Sequence, residues 1–512
     1  MLNGSILGAL YRCWLSSGVL ALLQRLWRPI AAAFRGSRIL GALFGPTRLD
    51  GYYSNSLYAR FFRKRMDALT AVCHGMAAAA RGSAAVRTIA PAVRTSKILN
   101  YEILFGLFCC VMFVVPHDNW NNLYAVLAAA VFFALHLLRC AAAGKTPAAP
   151  DTLGLGFALF VLSCVLSPLF SPTRSDSVRI LVLFLAGFVF CWLVATGFDE
   201  PRSLRRLMGF LYLGMLAVGV YAVMQRALDI VDINYQFTDM SINRGVPGRV
   251  YASLDNPNNL SGYLQMFLPL GAAYAAGAKK GWQRALLSLG LLIPAAALVM
   301  TYARAGWIAV ALAAAVYIYF RERKLLPALV VLAVLAVPLL PESVMTRLET
   351  ITNSRDSSRN HRLASWTAVV RLLADKGRWL TGIGLGPDAF QAIYPDYAVA
   401  GGQTGAYQSQ MLYLELVLEM GILGFLSFLW MTLKYVGRIG RAIAAGGGGK
   451  ENRLVLAAGL ASFAALAASS VAEYLWFYQR LIFGYFLWFG VILAALRIAE
   501  RGEPDPAREP AP

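Results

Sequence analysis

The chain has 512 residues, of which 58% are hydrophobic and 14% are charged, and its formal net charge at pH 7 is +20. A soluble globular domain usually carries about 25% charged residues, so this composition excludes that class and indicates a membrane protein. A strongly basic chain also raises the question of nucleic-acid binding. No basic stretch accompanies a nucleic-acid-binding motif, so we expect a lipid bilayer and no nucleic acid as partner.

The N-terminal residues 1–97 are rich in Lys and Arg, and their only acids are Asp50 and Asp67. Segments such as LYARFFRKRM mix basic residues with Leu, Tyr and Phe, which is typical of helices that lie on a membrane surface. A partly disordered basic tail is the alternative. No cleavable signal sequence is indicated, because Arg12 interrupts the first apolar stretch. We predict a cytoplasmic or interfacial extension over residues 1–97.

Apolar stretches of roughly 16–22 residues recur after this extension, close to the length that crosses a bilayer as a helix. They predict an all-α fold, a polytopic transmembrane helical bundle over residues 98–498, followed by a cytoplasmic tail at 499–512. We count about twelve spans. They lie at 101–116, 122–139, 152–168, 178–196, 205–225, 259–278, 285–302, 305–320, 325–340, 411–433, 455–473 and 481–498.

The distribution of basic residues predicts the orientation of the bundle, since cytoplasmic loops carry an excess of Lys and Arg. Most of the 47 Lys and Arg residues fall inside if both termini are cytoplasmic. Two sizeable segments, 226–258 and 341–410, then lie outside. We therefore expect a multi-pass protein of the cytoplasmic membrane with a large outer loop at 341–410.

The first outer segment contains RGVPGRVYASLDNPNNLSGYL. It supplies Arg244, Arg249, Asp255 and Asn258, just before a predicted span. We select these residues as candidates because outer loops usually contain few arginines, so arginines near the outer surface are unexpected. An ionisable residue at membrane depth usually faces a cavity and marks a substrate path.

The second outer segment contains RNHRLASWTAVVRLLADKGRWLTGIGLG. Arg362 and Trp366 are four residues apart and share one face of the helix predicted there. Arg304 joins them from the short outer turn between two spans. Each arginine taken alone has a simpler explanation, which is snorkelling to the lipid headgroups. As a group on one side of the membrane, Arg249, Arg304 and Arg362 favour a phosphate or diphosphate ligand attached to a lipid.

Four stretches occur in the order seen in the O-antigen ligase/polymerase family, and the chain resembles that family over roughly residues 150–495. The stretches are RVYASLDNPNNLSGYLQMFLPL, MTYARAGWIAVAL, RLASWTAVVRLLADKGRWLTGIGLGPDAF and QSQMLYLELVLEMGILGFLSFLWM. The basic extension at 1–97 is not part of the family pattern.

The resemblance implies transfer of a glycan from an undecaprenyl-diphosphate carrier to an acceptor hydroxyl, outside the bacterial cytoplasmic membrane and without a metal or other cofactor. The acceptor is lipid A core for ligases and a further lipid-linked repeat unit for polymerases. Arg249, Arg304 and Arg362 match the family's arginine positions, so the resemblance implies that they stabilise the leaving diphosphate.

One departure concerns the acceptor side of the reaction. Many ligases carry His-x-His-Asn before LYLELxxExGILG, whereas this chain has glutamine at Gln408 and Gln410. Glutamine orients a hydroxyl but cannot accept its proton. Asp255, His361 or Tyr407 is then the base, or the reaction needs little base assistance. The departure favours a polymerase over a lipid A core ligase, and we add Tyr407 and Trp366 to the substrate-binding candidates.

Two other functions remain open from the sequence. About twelve spans with both termini inside also suit a transporter or a flippase of lipid-linked oligosaccharides. A protein O-oligosaccharyltransferase of the same superfamily is the second alternative. The charged residues concentrate on one face and not at the midplane, which favours the glycosyltransferase.

Overall fold

The computed structural model describes residues 13–16, 25, 37–83, 100–231, 246–350, 357–375, 377–399 and 406–502. The described residues form helices joined by turns and loops, with no strand among them. The prediction of an all-α helical bundle is confirmed.

Within these residues, seven helices are long and apolar enough to cross a membrane. We number the helices discussed below α1 to α19, in chain order and among the described residues only. The seven candidate spans are α5 (Asn122–Ala142), α7 (Arg174–Gly197), α8 (Pro201–Ala227), the consecutive pair α10 (Gly281–Gly290) and α11 (Leu292–Met300), α17 (Leu412–Ala445), α18 (Gly449–Ser469) and α19 (Gln479–Arg501).

The count of twelve spans is not confirmed, although a helix lies at every predicted position. Five helices are shorter or less apolar than the seven candidates. They are α4 (Tyr101–Val114), α6 (Leu155–Leu166), α9 (Pro257–Ala276), α12 (Arg304–Glu322) and α13 (Leu326–Ala336).

Two of these five helices begin with polar residues that belong to the candidate site. In α9 the side chain of Asn256 accepts a hydrogen bond from the backbone N–H of Asn258, and Pro257 occupies the first turn, so the helix start is fixed. In α12 the first residue is Arg304. The outer loop contributes three more helices, α14 (Glu342–Glu349), α15 (Ser357–Asp375) and α16 (Pro387–Ile393).

The last helix, α19, forms the centre of the bundle, and nearly all of its residues from Arg480 to Ala499 are buried. Helices α7, α18 and α9 pack around it. A helix that is apolar on all sides can be buried only in this way, at the centre of a bundle.

The bundle has two opposite ends. At one end, helices α1 (Arg38–Phe44), α2 (Arg48–Ser54) and α3 (Leu57–Gly82) of the N-terminal extension pack against the bundle, and we call this the extension end. There Lys434 of α17 forms an ion pair with Asp50 at 2.7 Å. The other end carries the arginines selected from the sequence.

Candidate active site

Five segments converge at the end of the bundle opposite the extension. They are the strand-like segment 246–250, the turn 301–303, helix α14, helix α15 and the turn 470–474 that follows α18. Four arginines from these segments lie close enough to interact electrostatically, and we call them the arginine cluster. They are Arg249, Arg304, Arg347 and Arg362.

Arg249 is the most deeply buried of the three arginines predicted from the sequence, with 8% of its surface exposed. Its Nε donates to the carbonyl of Thr301 at 2.7 Å, and its Nη2 donates to Oδ1 of Asn258 at 2.7 Å. Burial, together with the positive charges of the other three arginines, lowers the pKa of Arg249 to about 9, against the opposing effect of Glu473. The guanidinium stays charged at neutral pH, in surroundings that are strongly positive.

Glu473 gives the cluster a carboxylate partner. Its Oε1 accepts a hydrogen bond from Nη2 of Arg362 at 3.1 Å, and its Oε2 accepts one from Nδ2 of Asn258 at 3.2 Å. The Asn258 amide therefore connects Arg249, on its oxygen, to Glu473, on its nitrogen. Burial raises the pKa of Glu473 above its usual range, while Arg362 and Arg249 act in the opposite direction.

Arg304 and Arg347 form the other side of the cluster. Nη1 of Arg304 donates to Oγ1 of Thr350 at 3.0 Å, and that hydroxyl donates to the carbonyl of Arg347 at 2.9 Å. Arg347 is buried, with 6% of its surface exposed. The loop that carries Arg347 is thus joined by hydrogen bonds to the first residue of α12.

The segment with the two glutamines lies next to the cluster. Trp366, one turn after Arg362 on α15, donates from Nε1 to the carbonyl of Ser409 at 2.9 Å. The side-chain oxygen of Gln408 is buried and accepts no hydrogen bond from any residue in the described part of the chain. Gln410 adopts a left-handed conformation with a φ of 58°, which is uncommon for a residue with a side chain. The side chains of Gln408 and Gln410 are thus presented by a constrained turn.

Helix α17 begins immediately after this turn, and residues in its first turn hold it in place through hydrogen bonds. The backbone N–H of Leu412 donates to the carbonyl of Ser470 at 3.0 Å and to that of Glu473 at 3.3 Å. The buried carboxylate of Glu415 accepts the N–H of Ser409 at 2.6 Å. The start of α17 therefore holds the glutamine turn and the Glu473 turn together.

The structure places Asp255 and Tyr407 away from this group and His361 beside it. Asp255 is exposed and lies near Arg480 and Tyr478, with which it interacts electrostatically. Tyr407 is 50% exposed. His361 is half-buried, in the turn of α15 that contains Arg362.

Arg244 lies outside the described residues, so its predicted contact with substrate stays a prediction.

Sequence reasoning did not select Arg347 or Glu473. Arg347 is one of several charges in a polar loop, and Glu473 stands at the end of an apolar stretch without a motif of its own. The one available signal for Glu473 was its acidic character at the outer end of a predicted span, where charge is costly.

Arg480 lies near the same end of the bundle but has a different environment. It is 1% exposed and donates to the carbonyls of Val115 at 2.7 Å and Pro116 at 3.2 Å. Its guanidinium also lies 5.0 Å from the ring centre of Trp120. Arg480 thus satisfies carbonyls beyond the end of α4 and has a structural role.

Within the part of the chain that the structure describes, no group of three His, Cys, Asp or Glu side chains is placed to hold a metal ion. What the site offers is positive charge from arginines with fixed hydrogen bonds. Such a site binds and stabilises an anion.

Residues 261–429 match the family model described as O-antigen ligase. This match supports the predicted resemblance to the O-antigen ligase/polymerase family. The matched region of the O-antigen ligase domain contains Arg304, Arg347, Arg362 and the glutamine turn, while Arg249 precedes it and Glu473 follows it. No curated protein matches the chain. The family consists of membrane glycosyltransferases of the ligase and polymerase type.

Proposed function

We propose that this protein is a membrane glycosyltransferase that polymerises or ligates glycan repeat units carried on undecaprenyl diphosphate, at the outer face of the bacterial cytoplasmic membrane. The observation that carries the proposal is the arginine cluster, in which four guanidinium groups from four segments meet one carboxylate from a fifth. Together with the family match, this surplus of buried positive charge supports a diphosphate ligand.

In the proposed reaction, a hydroxyl of the acceptor glycan attacks C1 of the donor sugar. The bond between C1 and the diphosphate oxygen breaks, and the diphosphate leaves with that electron pair. Positive groups fixed beforehand around the developing charge lower the barrier, and they act most strongly where water is excluded. Arg249, Arg304, Arg347 and Arg362 would hold the leaving diphosphate in this way without a metal ion.

We further propose that polymerisation is the reaction, and that the acceptor is a glycan on a lipid carrier. The support is the glutamine turn, which has Gln408 and Gln410 where many ligases of lipid A core have histidine. The unoccupied side-chain oxygen of Gln408 is suited to accept a hydrogen bond from an acceptor hydroxyl.

The test uses the purified protein in nanodiscs with lipid-linked repeat units, in the presence and absence of EDTA. We expect polymer and released undecaprenyl diphosphate under both conditions. Loss of activity with chelator that is restored by a divalent ion would contradict metal-independent chemistry. Transfer only to lipid A core or to a protein would assign the ligase or the protein O-oligosaccharyltransferase activity. Movement of the donor across the bilayer without transfer would establish the flippase.

A further inference from the structure

The proposed reaction needs a group that takes the proton of the attacking hydroxyl, and the glutamine turn does not supply one. Asp255 faces Arg480, and Tyr407 is half exposed, so neither is held at the cluster. Glu473, in contrast, has its carboxylate in the cluster and its backbone carbonyl bonded to Leu412, directly after the glutamine turn. Glu473 thus touches both halves of the site.

The side-chain amide of Asn258 lies between Arg249 and the carboxylate of Glu473. Its oxygen receives Arg249 and its nitrogen donates to Glu473. A phosphate-binding guanidinium and a carboxylate are thereby kept on opposite sides of one planar group. In a direct displacement at C1 the nucleophile and the leaving group lie on opposite sides of the reacting carbon. Arg249 is separated from the carboxylate in this way, whereas Arg362 is paired with it directly.

We propose that Glu473 is the general base that accepts the proton of the acceptor hydroxyl, an inference that rests on the proposed glycosyltransferase function. As the hydroxyl oxygen bonds to C1, its proton passes to a carboxylate oxygen of Glu473. The bond from C1 to the diphosphate breaks, and the arginine cluster takes the departing charge. The proton then leaves Glu473 to water before the next turnover.

The surroundings of Glu473 make its basicity depend on the donor. Without substrate, its charge is balanced by Arg362 of α15 and by Arg249, which comes from the segment before α9. A bound diphosphate engages those arginines and adds negative charge nearby, and both effects favour protonation of the carboxylate. The next residue, Tyr474, donates a hydrogen bond to Glu419 of α17 and interacts electrostatically with Glu415 of the same helix. Glu473 is therefore most basic when the donor is in place.

The first test compares Glu473→Gln and Glu473→Ala with the wild-type protein in the polymerisation assay. Loss of a general base typically lowers the rate by roughly 100- to 10,000-fold, and we expect kcat to fall by that amount while the donor still binds. In the wild-type protein the activity should rise with pH through the elevated pKa of Glu473, because only the carboxylate form accepts a proton. That rise should be absent from the residual activity of Glu473→Gln.

Azide separates a catalytic role from a structural one. The azide ion carries no proton, so it attacks C1 without a base and gives a glycosyl azide and free undecaprenyl diphosphate. We expect azide to restore donor turnover in Glu473→Ala but not to accelerate the wild-type protein. Glu342→Ala, which removes an exposed acid at the start of α14, is the matched control and should behave as wild type with and without azide.

Two outcomes would overturn the inference. Glu473→Ala with near wild-type kcat shows that another group takes the proton. An inactive Glu473→Ala that azide does not rescue shows that Glu473 only holds the arginines in place. Failure of the proposed function is distinguishable from both, because then the wild-type protein itself releases no undecaprenyl diphosphate.

Discussion

Arg304 begins helix α12, donates from Nη1 to Oγ1 of Thr350 and lies in the arginine cluster. We predict that Arg304→Lys loses nearly as much activity as Arg304→Ala, with both variants inserting normally. Lysine keeps the charge but loses the two parallel donors that fit a phosphate. Removing one donor to developing negative charge typically costs about 2.7–4 kcal/mol, or roughly 100- to 1,000-fold in rate. Polymer formation in nanodiscs measures the effect.

The matched control for this prediction is Arg321→Lys, which changes an exposed arginine in the last turn of the same helix. It should leave the rate unchanged. If Arg304→Lys also retains near wild-type activity, Arg304 only keeps its charge in the headgroup region, and the diphosphate contacts belong to the other three arginines.

Comparison of Arg304 with Arg480 shows why residue type alone could not assign these roles. Both follow an apolar or aromatic stretch at the same end of the bundle, yet Arg480 is bonded to backbone carbonyls beyond α4, and Arg304 faces three other arginines. The predicted topology puts the loops that carry Arg249, Arg304 and Arg362 on the same side of the membrane. That was enough to predict that the three arginines lie together. The participation of Arg347 and Glu473 depends on how the outer loop folds back, which no local pattern in the sequence encodes.

At the level of elements, a kink in α17 fixes the outer loop. Gly421 has a φ of 72° inside the helix, and the kink exposes backbone groups to residues 379–384. Ile422 donates to the carbonyl of Trp379 at 2.6 Å, and Ile383 donates to that of Leu418 at 2.7 Å. The outer loop is therefore paired to the helix that carries the glutamine turn.

We predict that Gly421→Ala weakens this pairing. A side chain at this φ and ψ costs about 1–3 kcal/mol, and the added Cβ would collide with the backbone of Leu380. The loop 377–399 should become more sensitive to protease, and polymer formation should fall with it.

Gly440→Ala is the control for this substitution, because Gly440 lies in the same helix with open space around it. It should have wild-type protease resistance. Equal resistance in Gly421→Ala would mean that the kink does not hold the loop.

Helix α3 shows three faces. One is packed against the bundle through Ala59, Met66, Thr70 and Cys73. Arg60 and Lys64 lie on an exposed polar face. At about 100° per residue, a third face is exposed and mainly apolar, with Arg65 as a charged residue within it. Its apolar residues are Leu57, Tyr58, Phe61, Leu69, Val72 and Met76.

We predict that this third face is immersed in the lipid surface, as expected for an interfacial helix. Phe61→Cys, labelled with an environment-sensitive fluorophore in nanodiscs, should be quenched by lipids that carry nitroxide in their acyl chains. Asp67→Cys on the polar side is the control and should be quenched much less. Equal quenching at the two positions would contradict the assignment of the faces.

At the scale of the whole molecule, the two ends of the bundle should lie on opposite sides of the membrane, with the arginine cluster outside. Ala398 is exposed in the outer loop, and Ala445 is exposed at the extension end. We predict that Ala398→Cys reacts with a membrane-impermeant thiol reagent in spheroplasts, whereas Ala445→Cys reacts only after permeabilisation. Mass spectrometry distinguishes these sites from the native cysteines. The reverse pattern would place the arginine cluster on the cytoplasmic side. It would then contradict glycan transfer at the outer face of the membrane.

The helical bundle itself could be predicted from hydropathy. In lipid, a helix is the simplest way for one apolar segment to form all its backbone hydrogen bonds. The number of spans was harder to predict. Helix α9 carries Asn258, Ser261 and Gln265 on a largely buried helix, and α13 has only 11 residues. Neighbouring helices can shield polar side chains from lipid. The hydropathy of such a helix then does not show whether it crosses the membrane.

Helix α17 is held at two points, at the Gly421 kink and at Lys434, where the ammonium group binds Asp50 and the carbonyl of Gly45. The rotation of the intervening residues about the helix axis is therefore fixed. One inserted residue would turn Lys434 by about 100° around the helix axis and point it away from its partners, although no side chain had changed. Residues 422–433 should accept substitutions far more readily than changes in length.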